Sequence, residues 1–443
     1  MNITSIMSII IFLLILTIIV FVHELGHFLT AKKFGVYCKE FAIGMGPKIF
    51  GRKKGETLYS VRALPMGGYV QMIGEDGELF ELKKADRVWL THNEAGQIET
   101  IAFVQPDDNT AIFVTIENIE KALDPIQITY TYDDKTMTDF CESLVYCYDE
   151  KNEEQWIVAN NRQFTNIKPW KKVIVLAAGA TMNFIFAFIF IFFSTWITGV
   201  NTDPIIATDV YAETVGENAF IKGDEIIAIN NETITSLEQL STFVQSNPNK
   251  TVEVEVLRNN EKQTVTREIT AVAEQQLTLN GFEEKTRGAL GVTYIRTHTA
   301  IWTIFTDAVT RFGGMFQYIF FVLYGLFTAK IKVSNLTGFI GIAQQTNAVI
   351  TATTASTSFG AQAAEISARL LSFAAFLSVN IGAMNLLPFP ALDGGRIVFA
   401  LYEMISKKKA SPKIETYVNA AGFILLILLF FAVTIMDVIR LFS

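Results

Sequence analysis

Four stretches of this chain are apolar over lengths that stand out from the rest: Ile6–Leu29, Val173–Thr198, Ile366–Leu387 and Val418–Ile439. A helix needs roughly 20 residues to cross the hydrocarbon core of a bilayer, and each stretch supplies about that number. The first has no Lys or Arg ahead of its apolar run and no small-residue cleavage site, and charged residues sit inside its C-terminal end. It is therefore expected to be a retained span and not a signal peptide. A shorter apolar run, Phe312–Phe327, is bordered by Asp307, Arg311 and Lys330. The segment Ala300–Lys330 is expected to lie as an amphipathic helix against the outer leaflet.

Between the spans the pattern changes. From Glu75 to Gln163, apolar and polar residues alternate in short runs rich in β-formers, among them Ile101–Val104, Ala111–Ile116 and Ile126–Tyr132. That period predicts a small β-rich insertion. Asn201–Val272 reads as a compact α+β region, with a helix near Ser236–Ser246 and a strand at Thr251–Arg258. Thr57–Met72 holds two β-rich runs around Pro65-Met66-Gly67-Gly68, a hairpin signal.

Charge then orients the spans. Lysines and arginines cluster at 32–54, 168–172 and 407–413, after the first span, before the second and between the third and fourth. Placed in the cytoplasm by the positive-inside rule, all three clusters agree and leave both termini outside. The net charge of −8 argues against nucleic acid as a partner. Its source is local: Glu75–Glu154 carries 20 acidic and 6 basic residues, and the remainder is net basic. Hydrophobic residues make up 50% of the chain, as expected for a protein of the lipid bilayer. Cys38, Cys141 and Cys147 match no zinc or disulfide spacing and all fall on the cytoplasmic side, so reduced, structural thiols are expected.

The sharpest chemical signal is His23-Glu24-Leu25-Gly26-His27 at the end of the first span; the chain has only 4 histidines. Residues four apart share one helix face, so both imidazoles reach one ion. Neutral imidazole suits Zn2+, and Glu24 stands beside the pair as a base for water that such an ion acidifies. The alternative, a solvated helix end with snorkelling charges, carries no chemistry. Catalytic zinc needs a third protein ligand and an open position. His92 lies in the acidic insertion and His298 on the outer face, which suits neither. The run from Asn385 to Gly395 closes the third span at the depth of His27, and its two prolines and two glycines break the helix around Asp393. From spacing alone, Asp393 is as much a metal ligand as a residue of an ordinary turn.

H-E-L-G-H in the first span, N-x-x-P-x-P-x-L-D-G-G in a late span and a PDZ-like pattern between them resemble the bacterial site-2 protease family, over most of the chain. The PDZ pattern lies in Phe220–Asn231, where Gly223-Asp224 supplies a turn, Ile226, Ile227 and Ile229 a buried strand, and Asn231 a position often held by Gly. The resemblance implies a polytopic α-helical membrane protein of about four transmembrane helices, with one PDZ domain and a small β-rich cytoplasmic insertion. It implies a Zn2+ site of His23, His27 and Asp393, with Glu24 as catalytic base. It further implies Asn385 as a substrate clamp, where the residue alone fits a helix-capping amide. It also implies a membrane-reentrant β-loop whose Gly67 and Gly68 border the bound substrate, where the sequence alone equally fits an interfacial hairpin that shields the zinc. Ala178–Phe184 and Gly338–Ile342 match family runs from which a proline has been lost, leaving local helix geometry open. Substrates would be single-pass membrane proteins such as anti-sigma factors, signal-peptide remnants or pheromone precursors, cut at the bacterial cytoplasmic membrane. Two other classes stand beside this one: a membrane adaptor presenting a PDZ domain, and a zinc transporter. An intact Glu24 speaks against the first, and polar residues gathered at one depth speak against the second.

The expected organisation is a first span with H-E-x-x-H and hairpin (1–74), the acidic insertion (75–165), a second span (166–200) and an outer domain (201–295). An amphipathic surface region (296–365) and the last two spans (366–443) complete it.

Overall fold

A computed structural model describes residues 3–442 apart from 76–81, 108–109, 123–124, 150, 152–153, 202–204, 211–219, 279–280, 295, 298–299, 332–336 and 352–358. His298 thus lies outside the described residues. Four helices are long and apolar enough to cross a membrane: α1 (Ile3–Lys33), α2 (Pro169–Thr198), α6 (Phe359–Asn385) and α8 (Pro412–Phe442). The third begins at Phe359, ahead of the expected Ile366, because residues 360–365 (GAQAAE) form helix well without being apolar. Apolarity marks depth in lipid, not the end of a helix. α2 runs unbroken through Ala180, where the resembling family has proline.

The chain divides into two compact units, one of Leu13–Phe184 with Ile381–Leu428, the other of Met1–Phe12, Ile185–Asn380 and Leu429–Ser443. In the first unit, α1 is followed by β1 (Cys38–Lys54) and β2 (Thr57–Met72). Their register is double. Glu40 stands opposite both Leu58 and Gln71, Ala42 opposite both Ser60 and Tyr69, while Lys53 faces Leu58. The early part of β1 is therefore sandwiched between the two arms of β2, and residues 68–72 form an edge. The expected hairpin around 65–68 is not formed: β2 bends there, and its two arms pair with β1 and not with each other. Gly44, Gly46 and Gly67, all at positive φ, allow the bends. Met45, Ile49, Phe50, Val61 and Leu64 are exposed apolar side chains of this sheet. Thr17 Oγ1 donates to the Pro65 carbonyl at 2.6 Å. From Thr17 to the end of α1 is about 24 Å at 1.5 Å per residue, so the hairpin runs deep beside the apolar helix.

The acidic insertion is a barrel. β3 (Arg87–His92), β4 (Ile98–Ala102), β5 (Ile112–Glu120), β6 (Ile126–Tyr132), β7 (Lys135–Tyr148) and β8 (Glu154–Val158) pair in the order β4-β3-β5-β6-β7-β8. A parallel pairing of β4 with the far half of β7 closes a ring of five strands and leaves β8 as an edge on β7. Inward residues such as Leu90, Ile101, Ile116, Ile128 and Val145 fill it, together with Cys141 and Cys147. Cys38 is buried at the start of β1, and the three thiols are free and buried.

In the second unit, β9 (Val200–Asn201), β10 (Ile205–Val210), β11 (Glu225–Ile229) and β12 (Glu232–Thr233) precede α3 (Leu237–Ser246). After it come β13 (Thr251–Arg258), β14 (Glu261–Glu268), β15 (Thr270–Thr278), β16 (Gly281–Ala289), β17 (Val292–Tyr294) and β18 (Arg296–Thr297). The main sheet runs β14-β13-β11-β10-β17 with β12 on β11; β15 pairs with β16 and β9 with β18. Ser236 caps α3 by accepting from the Gln239 N–H. Asn230 and Asn231 both take positive φ in the tight turn between β11 and β12. α4 (Ile301–Phe327) and α5 (Phe339–Thr351) complete the unit. Asp307 and Arg311 of α4 turn toward Thr195 and Ser372, while Trp302, Phe320, Tyr324 and Phe327 are exposed.

Asp224 is fully buried, accepting two bonds from Arg258 and one from the Ile221 N–H. Removing one partner of such a pair strands the other, so Asp224→Ala should cost this domain about 3 kcal/mol. Limited proteolysis of the full-length protein should then cut faster between residues 225 and 268 than in the unaltered protein.

Candidate metal centre

The site begins with two glycines. A Cβ built on Gly26 would collide with the Ala178 carbonyl, and one built on Gly179 would overlap both imidazoles, lying 2.7 Å from His23 Nε2. Without side chains, α1 and α2 cross backbone to backbone, and His23 and His27 pack over Gly179. Both histidines are 6% exposed. His27 Nδ1 donates to the Val175 carbonyl at 2.8 Å, leaving the Nε2 lone pair facing inward. The fully buried Asn183 Nδ2 lies 3.3 Å from His23 Nδ1 and fixes the orientation of that ring.

The third group arrives from the other end of the chain. After α6 ends at Asn385, the chain turns through Pro388 and Pro390 into α7 (Asp393–Ser406). Gly394 and Gly395 lie where a Cβ would strike the carbonyls of Leu387 and Phe389, so only glycine fits this turn. Ala391 takes a positive φ of 72°, held by a bond from its N–H to Asn419 Oδ1 of α8. Asp393 Oδ2 thereby comes to 3.1 Å from His23 Nε2 and 3.2 Å from His27 Nε2, and the two Nε2 atoms are 3.1 Å apart.

The three donor atoms form a nearly equilateral triangle. Ligands about 2.0 Å from a tetrahedral ion are separated by about 3.3 Å, so the triangle is the base that such an ion requires. Two nitrogens and one carboxylate oxygen make a donor set that suits zinc. Among the described residues this is the group of histidine, cysteine and carboxylate side chains placed to hold a metal ion. His92 instead bonds to Asp139 within the barrel.

A cavity of about 610 Å3 opens on the triangle, lined in part by Glu24, Tyr69, Val70, Asn385 and Arg396. Glu24 and Val70 both line this cavity, so the β2 edge meets the H-E-x-x-H helix there. Gly68 approaches Glu24 Cγ, a Cβ there being 3.8 Å away, whereas Gly67 packs at the bend against Met45. Asn385 Nδ2 is 3.5 Å from His23 Nε2. Glu40 anchors the sheet behind the cavity: burial would raise its carboxyl, but bonds from Ser60, Tyr69 and Arg62 hold it below the usual range. The Tyr69 hydroxyl, buried and beside Glu40, is pushed up to about 12 and stays neutral.

Sequence reasoning brings together His23, Glu24, His27, Asp393 and Asn385. It passes over Gly26, Gly179 and Asn183, although Gly179 and Asn183 stand four apart in the Ala178–Phe184 run. Small and polar residues on one face of an apolar helix are the signal for a close, polar helix contact. Gly179→Ala should push the imidazoles apart, and metal analysis of the purified protein should find bound metal well below one ion per chain.

Comparisons with known proteins agree with this geometry. The model of "Peptidase family M50" matches residues 11–429. The chain is 34% identical over 439 residues to the "Regulator of sigma-W protease RasP" of Bacillus subtilis (strain 168), covering 98% of this chain and 99% of that one. It is also 34% identical to the "Zinc metalloprotease RasP" of Bacillus licheniformis, with 98% and 99% covered. For that of Geobacillus kaustophilus the identity is 32%, with 98% of both chains covered. With four helices able to span a bilayer and a match over nearly its whole length, this chain belongs to peptidase family M50, the site-2 proteases, and is a multi-pass zinc metalloprotease of the membrane.

Proposed function

We propose that this protease is an intramembrane endopeptidase in which His23, His27 and Asp393 hold the zinc and Glu24 is the general base. The observation that carries this reading is the donor triangle at the end of an apolar span, opening on a cavity that an edge strand also lines. When bound, Zn2+ supplies Lewis acidity, polarising a carbonyl and acidifying water. Glu24 takes the proton from the attacking water and returns it to the leaving amine. The Val175 carbonyl fixes the His27 tautomer with Nε2 available, and Asn183 orients the His23 ring.

A helical substrate shields its carbonyls and must be unwound before it is cut. Residues 68–72 offer an edge to which an extended segment adds as a strand, and their neighbour Asn385 clamps the backbone. Substrates in this reading are single-pass membrane proteins. The name of the Bacillus subtilis relative speaks of sigma-W regulation, which favours an anti-sigma factor over a signal-peptide remnant or a pheromone precursor. The lysine clusters favour the bacterial cytoplasmic membrane, with the barrel inside and both termini outside.

The domain of β10–β17 supports a PDZ reading: α3 follows a tight Asn230-Asn231 turn, and α3 and β13 fall where the PDZ pattern expects a helix and a strand. On the outer face it would filter substrates by size or bind their trimmed ends. Ala300–Lys330 keeps its reading as a helix of the outer leaflet, its exposed aromatic side chains favouring lipid contact.

Two measurements test the chemistry. Glu24→Gln should lower the rate of cleavage of a transmembrane peptide by roughly 10²–10⁴ while zinc content stays the same; equal rates would remove Glu24 from the mechanism. Asn385→Ala should keep its zinc and lose about ten-fold in kcat/KM, in line with one lost hydrogen bond to the substrate.

A further inference from the structure

A second cavity, of about 1110 Å3, adjoins the first and shares Glu75, Ala391 and Arg396 with it. Arg396 and Glu75 form an ion pair in the shared wall. Beyond that wall the lining turns basic: Lys83, Lys121, Lys172, Arg396 and Lys409 face Glu75, Glu403 and Glu415. Within this set Lys172 is paired with Glu403 at 2.7 Å, each side chain 10% exposed. Lys83 and Lys409 are exposed. The polar wall is completed by amides, and Lys409 is steered by a 2.7 Å bond to Asn166. The proposed reaction does not use this space, whose charge is opposite to that of the acidic barrel sequence beside it.

We propose that this cavity is a product site, which takes the new C-terminal carboxylate of the cleaved segment and carries it toward water. The inference rests on the protease reading above. Hydrolysis adds water across a neutral amide, breaking the C–N bond and leaving one carboxylate and one ammonium. In apolar surroundings that carboxylate has the most to lose from being unpaired. Arg396 stands three residues after Asp393 on α7, so it faces the same side of the helix as the metal site. Its guanidinium already holds one carboxylate, that of Glu75, in the wall between the cavities. The nascent carboxylate replaces Glu75 on Arg396, and the lysines beyond draw it on. Glu75 is thus the resident that keeps Arg396 satisfied between turnovers.

The test uses the full-length zinc enzyme in detergent, cleaving a fluorogenic transmembrane peptide. Three apolar peptides matching the upstream product are added as inhibitors: the free acid, its C-terminal amide, and an amide with one Glu near its end. The free acid should inhibit about ten-fold more tightly than the plain amide, the gain of a charge-assisted pair. In Arg396→Gln that preference should shrink below about two-fold. Equal inhibition by acid and amide in the unaltered enzyme overturns the proposal, as does a full preference kept by Arg396→Gln. A Glu-bearing amide as potent as the acid also overturns it, because the cavity would then read acidic side chains and not chain ends. Loss of the protease reading is a separate result: cleavage that Glu24→Gln does not change.

Discussion

The proposed ion site is built where two helix backbones touch. Helices in lipid gain nothing from hydrophobic burial against each other; they associate through close packing and polar contact, which small residues permit. Gly26 and Gly179 bring α1 and α2 into that contact, and everything else is arranged around it. The imidazoles lie over Gly179, one turn from Asn183, with the Val175 carbonyl one turn the other way. A larger side chain at the crossing would leave the same ligands in the sequence and no place for them to meet. The turn at 388–395 is the complementary constraint, since it alone decides how near the Asp393 carboxylate comes.

Polar groups inside apolar segments must be matched, and the two units match them differently. In one, Thr195, Asp307, Arg311, Ser194 and Ser372 bond to one another across α2, α4 and α6. Asp437 likewise accepts from the Gly341 N–H. Each donor there has an acceptor, and the outcome is packing. In the other, three electron-pair donors converge on a common point, an arrangement that only a cation balances. The difference between glue and chemistry lies in that convergence, not in how polar or how buried the residues are.

Much of this was legible in the sequence because apolarity gauges depth. His27 and Asp393 each close a span, so the two motifs were expected at one level of the membrane although 366 residues separate them. The barrel strands were legible because their alternation is regular. The double register of β1 was not: Gly46-Pro47-Lys48 and Gly51-Arg52-Lys53-Lys54 interrupt any period, so the run at 57–72 looked self-paired. The start of α6 was missed because a polar stretch can still be helical. Gly179 and Asn183 were visible as a run, but their role depends on what crosses them. The Glu75–Arg396 pair joins residues 321 apart and leaves no local trace.

The three buried thiols carry a consequence for how the molecule meets its chemical surroundings. Burial, the largest cause in each case, pushes Cys38, Cys141 and Cys147 up to about 12. An ordinary cysteine is a few per cent ionised at neutral pH; at a pKa of about 12 the ionised fraction is on the order of 10⁻⁵. Alkylating agents and peroxides act on the ionised form, so burial slows both reactions at these thiols. A cysteine introduced at the exposed cavity rim would ionise more readily than any of the three and would be the thiol that such reagents mark first.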